Sequence, residues 1–70
     1  MEQEKYQKAL GKKIASFRVK SGMSQKDVVK ISGINETTIS RIENGETNVT
    51  IGTLNKIAAA LATTSTKLLP

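Results

Sequence analysis

With 70 residues, no cysteine and no histidine, the chain has room for one compact domain over 1–70 and none of the groups that disulfides, thiol nucleophiles, histidine triads or common zinc sites require. Eleven Lys and Arg against six acids leave a net charge of +5, which favours a polyanion such as nucleic acid as partner; no catalytic residue, metal or cofactor is expected. No run approaches the ~20 apolar residues that span a bilayer, and Met1–Tyr6 is polar, so a cytoplasmic protein without membrane contact is expected.

Residues 1–5 read as a flexible tail. Tyr6, Leu10, Ile14 and Phe17 then recur every three or four positions, which predicts one apolar, core-facing side of a helix running to about Lys20 and closed by Gly22. Ser24 with Asp27 three residues on is a capping-box variant and opens a second helix that runs to about Ile31. Val28, Val29 and Ile31 would suit a strand, but the cap in front and Gly33 behind leave only a short helix between them. Gly33 supplies the left-handed residue of a sharp helix-to-helix turn, and Asn35 caps a third helix from Glu36 to Asn44 that ends at Gly45. At 100° per residue this helix gathers Glu36, Thr37, Ser40, Arg41 and Asn44 in one polar arc, with Thr38, Ile39, Ile42 and Glu43 opposite. One side serves the core and the other is free to touch something.

A polar loop from Glu46 to Val49 leads to Thr50 as the next cap. Leu54, Ile57, Ala58 and Leu61 then form the clearest apolar stripe of the chain. Thr63, Thr64 and Ser65 interrupt it before a short final turn, Lys67–Pro70, whose leucines serve the core or a second subunit. The expected fold class is all-α, five short helices in one domain.

The segment Ser24–Gly45, SQKDVVKISGINETTISRIENG, resembles the DNA-binding motif of the Cro and phage-repressor type of helix-turn-helix proteins, the lambda-repressor-like fold, with its motif over about 25–44. Gln25 takes the first motif position, Gly33 the turn, Ile34 the place after it, and Ile39 and Ile42 the buried positions of the second helix. Arg18 with Gly22-Met23, the Glu43-Asn44-Gly45 run and Thr53–Leu61 extend the likeness to about 60 residues. Two positions depart from it. Val29 stands where a small residue is usual, which implies a wider helix crossing or small neighbours, and Val49 stands where a proline is frequent, which leaves that loop less rigid.

The resemblance implies that the second motif helix enters the major groove, so that Glu36, Thr37, Ser40 and Arg41 meet base edges, while Ser24, Gln25, Lys26, Asn44 and Asn48 meet the phosphate backbone. Arg41 suits guanine O6 and N7, Thr37 a thymine methyl or an acceptor, and Glu36 the N4 amino group of cytosine. Lys12 and Lys13 read as a solvated face that adds general attraction. Arg18 and Glu43 are expected to pair between the first and third helices. Tyr6 and Phe17 are the only aromatics, too few for base stacking as in RNA binders. The function implied is sequence-specific binding of double-stranded DNA by a transcriptional regulator, a repressor or autoregulator. It would act as a homodimer on a palindromic operator, with Leu68-Leu69 as the dimer contact. The roles of phage repressor, restriction-modification controller and antitoxin remain open. The alternative is an antitoxin or other protein-interaction module that binds a toxin or similar partner and for which DNA is secondary.

Overall fold

The computed structural model describes residues 2–70. Among them there are five helices and no strand: α1 (Glu2–Lys20), α2 (Gln25–Ser32), α3 (Glu36–Glu43), α4 (Ile51–Ala60) and α5 (Ser65–Leu68). The helices start and stop where local chemistry directs. Ser24, Asn35 and Thr50 are extended, and each accepts the N–H of the residue three further on through its side-chain oxygen. At α2 the box is reciprocal, because the Ser24 N–H also donates to Asp27 Oδ2 at 2.8 Å. That backbone bond, with the Ser24 hydroxyl second, holds the Asp27 carboxyl below the usual aspartate pKa.

Three helices end in the same way. After α1, α3 and α4 a residue with positive φ (Gly22, Gly45 and Ala62) lets the next N–H turn back five residues, from Met23 to Arg18, from Glu46 to Arg41 and from Thr63 to Ala58. Gly33 closes α2 at φ 76°, its N–H on the Val29 carbonyl. Ser32 stitches this turn further: its hydroxyl donates to the Val28 carbonyl and accepts from the Ile34 N–H.

The core is the meeting place of the apolar faces: Leu10 and Ile14 of α1, Val28 of α2, Ile39 and Ile42 of α3, Leu54, Ile57, Ala58 and Ala60 of α4, Leu61 and Leu68. α1 packs on α3 and α5, α2 on α3 and α4, and α4 on α5. The crossing of α1 and α3 is close because Gly11 is buried in it. A Cβ at Gly11 would press on the Ile42 carbonyl oxygen and lie 2.7 Å from that of Glu43.

Three expectations are corrected. Residues 2–5 are helical rather than a tail, while Met1 lies outside the described residues. Tyr6 does not join the core stripe but is 49% exposed, whereas Phe17 is packed against the core. Leu68 is wholly buried in its own chain and so is unavailable to a second subunit; Leu69 beside it is 41% exposed. Val29 is half-buried against the core, and Ile31 faces outward.

Candidate nucleic-acid interface

α3 is anchored by its inner side. Ile39 and Ile42 are buried and Thr38 and Glu43 half-buried, which turns Glu36, Thr37, Arg41 and Asn44 outward as exposed residues, with Ser40 half-buried among them. The polar arc expected of this helix is therefore the accessible face of the helix. Glu36 occupies its first turn and Arg41 its last, the placement that the helix dipole favours for each charge. Small Thr37 and Ser40 lie between the two charged ends of that face.

The residues expected to meet the phosphate backbone fall into two groups. Ser24, Gln25 and Lys26 surround the N-terminus of α2, where free N–H groups favour an anion. Ser24 and Lys26 are exposed, and Gln25 is half-buried. Ser24 uses its oxygen as the cap, which leaves its hydroxyl proton to donate. Asn44 lies at the end of α3 as its C-cap, and Asn48, exposed, lies in the loop that follows.

One carboxylate ties this arrangement to the core. Arg18 Nε donates to Glu43 Oε2 at 2.7 Å and Nη2 to Oε1 at 3.0 Å, a two-pronged pair with side chains only 16% and 6% exposed. The hydrogen bond to Glu43 is the main reason the Arg18 pKa is raised. Arg18 also donates to the Met23 carbonyl at 2.9 Å, and Gln25 Nε2 donates to Glu43 Oε1 at 3.1 Å. The expected Arg18–Glu43 pair is thus present and larger than expected, for it joins α1, the turn before α2, α2 and α3. Gln25 keeps a second amide proton, so its hydrogen bond to Glu43 orients it without using it up.

Two residues bonded to Asn48 carried no sequence signal. Gln3 and Gln7, one turn apart on α1, both donate side-chain N–H groups to Asn48 Oδ1, the first at 3.2 Å. Their partner stands more than forty residues away, beyond the reach of any local pattern. No described helix is long and apolar enough to cross a membrane.

Comparison with known proteins agrees with this geometry. The control protein C.SmaI of Serratia marcescens is 40% identical over 60 residues, covering 86% of this chain and 71% of that protein. An uncharacterized HTH-type transcriptional regulator of Haemophilus influenzae is 41% identical over 56 residues, but those span only 57% of its length. The crystal structure of the restriction-modification controller protein C.AhdI from Aeromonas hydrophila superposes with a TM-score of 0.86 at 26% identity, over 89% of this chain and 94% of that one. Residues 14–68 match the helix-turn-helix family HTH_3, a span that takes in the Arg18–Glu43 anchor, the Gly33 turn and the whole outward face of α3. The chain belongs to that helix-turn-helix family.

Proposed function

We propose that the protein binds a specific double-stranded DNA operator and controls transcription by occupancy, as a repressor or autoregulator in the control of a restriction-modification operon. The observation that carries the reading is the outward face of α3: Glu36, Thr37 and Arg41 exposed, Ser40 half-buried among them, on a helix held from behind by Ile39 and Ile42. Such a helix presents donors and acceptors to base edges in a fixed register, which is what direct readout in the major groove needs. The net charge of +5 supplies the sequence-independent attraction. The operon context rests on the likeness to C.SmaI and C.AhdI, a control protein and a restriction-modification controller. These relatives lend no support to the toxin-binding alternative. In this reading the protein works in the cytoplasm, and two copies occupy a palindrome.

Selection of bound duplexes from a random pool gives the operator, and Arg41→Ala tests the readout. The variant loses about 1 to 3 kcal/mol on the selected operator and relaxes preference at one position of each half-site. Uniform loss over all sequences would make Arg41 a backbone contact, and no enrichment in the native selection would end the DNA reading.

A further inference from the structure

The start of α1 holds a feature outside the part of the chain that matches the family, which begins at residue 14. Gln3 and Gln7 lie one helical turn apart, and both side-chain amides converge on one oxygen, Asn48 Oδ1. The chain around Asn48 is seated on the same stretch of α1. A Cβ at Gly45 would lie 2.7 Å from Lys8 Cα, so the end of α3 and the backbone of α1 are in near contact. The Thr47–Val49 loop is therefore strapped to α1 by side chains as well as packed on it.

The chemistry of the amide gives the strap a consequence. A carbonyl oxygen has two lone pairs, and two N–H donors use both. An exchange of the Asn48 oxygen and NH2 group keeps these bonds only if both glutamine amides turn over with it, so the three amides are oriented as a set, here with both glutamines donating. In that orientation Nδ2 faces away from the glutamines, and among the described residues it donates to no protein group. Asn48 is exposed, four residues past the end of the outward α3 face.

We propose that Gln3 and Gln7 are positioning residues that fix the Asn48 amide with its NH2 group outward, making it a pre-oriented donor to a DNA phosphate beside the recognition helix. The inference rests on the DNA reading of α3. It assigns to the first two turns of α1 a part in DNA binding that acts through Asn48 and reads no base. A donor held in place loses less rotational freedom on binding than a free one, so the strap raises affinity equally for every sequence.

The test is a double-mutant cycle on the full chain, read by fluorescence anisotropy against the selected operator and against a scrambled duplex. Gln3 is exposed and Gln7 half-buried outside the apolar core, and alanine is a strong helix former, so Gln3→Ala with Gln7→Ala is expected to keep the fold, which the melting temperature of the double variant checks. The pair is expected to weaken both duplexes by about 3- to 10-fold, the worth of one hydrogen bond, with base preference unchanged. Asn48→Ala is expected to do the same, and adding the glutamine changes to it to cost nothing more. Asn48→Asp keeps acceptor oxygens for the glutamines but removes the outward donor; it is expected to bind DNA worse than Asn48→Ala while melting no lower than the native chain. Glutamine changes that weaken binding equally with and without Asn48, or that leave it untouched, overturn the proposal while the native chain still binds its operator. A native chain that binds no duplex overturns the DNA reading and this proposal together.

Discussion

Glu43 and Glu36 sit on the same short helix and have opposite situations. Glu43 is nearly buried and shares its two oxygens among Arg18 and Gln25, so removing its carboxylate leaves a guanidinium with little water and no counter-charge. Glu43→Ala is expected to cost about 3 kcal/mol in urea unfolding, the penalty of an orphaned buried partner rather than the net worth of the pair. A loss under about 0.5 kcal/mol would mean that water screens the pair in solution. Glu36 is exposed in the first turn of α3, where the helix dipole stabilises an acid by about 0.3 to 1 kcal/mol in the free protein. Facing DNA, a carboxylate only accepts hydrogen bonds, so it suits the cytosine amino group and repels the acceptor edge of guanine. Glu36→Gln is therefore expected to raise non-specific affinity and to move the favoured base from cytosine toward adenine, since glutamine both donates and accepts. Binding to operators varied at the facing position checks this. An unchanged preference together with a slightly lower melting temperature would leave Glu36 as a helix-end charge and nothing more.

At the scale of elements, the glycines and the one left-handed alanine separate two kinds of constraint. Gly11 lies inside a helix, where glycine costs about 1 kcal/mol against alanine, yet a methyl group there meets two backbone carbonyls of α3 that have no free rotamer to yield. Gly11→Ala is expected to destabilise by about 2 kcal/mol net, as overpacking against backbone does, and to lower DNA affinity by shifting α3. Ala62 is the reverse case: it takes φ 55° in the turn that ends α4, a conformation that costs an L residue about 1 kcal/mol or more and glycine almost nothing. Ala62→Gly is expected to stabilise by about 0.5 to 1 kcal/mol in the same unfolding assay, after the larger freedom of the unfolded glycine is deducted. These cases also mark what the sequence could reveal. Ser24–Asp27, Asn35, Thr50 and the glycines at 22, 33 and 45 act within a few residues of themselves, so α2, α3 and α4 were readable to within a residue or so, and with them the outward face of α3. Gly11 answers to carbonyls thirty residues away, and Gln3 and Gln7 to an asparagine farther still, so neither carries a local signature. Leu68 and Leu69 differ only by which side of a four-residue helix each falls on, too short a run for periodicity to separate the buried leucine from the exposed one.

At the scale of the molecule, one outward face on an eight-residue helix limits how much DNA a single copy reads. Such a helix meets only a few base pairs, and two-fold repetition of the protein over half-sites one turn apart, roughly 34 Å, is the common geometric remedy. The expected species in sedimentation velocity is a homodimer, and on a palindromic operator two chains per duplex. Its contact cannot use Leu68, which is wholly occupied by its own core, so the apolar group left at that end of the chain is Leu69. Leu69→Asp adds a charge to an exposed position that the core does not depend on; it is expected to shift the dimer toward monomer with little change in the unfolding of the single chain. Operator binding then falls with the loss of the second half-site, whereas a single half-site is bound as before. A dimer that survives Leu69→Asp would place the contact on another face. A chain that sediments as a monomer both free and on the palindrome would mean that one copy reads DNA alone, with affinity carried by the salt-sensitive attraction of its basic surface rather than by symmetry.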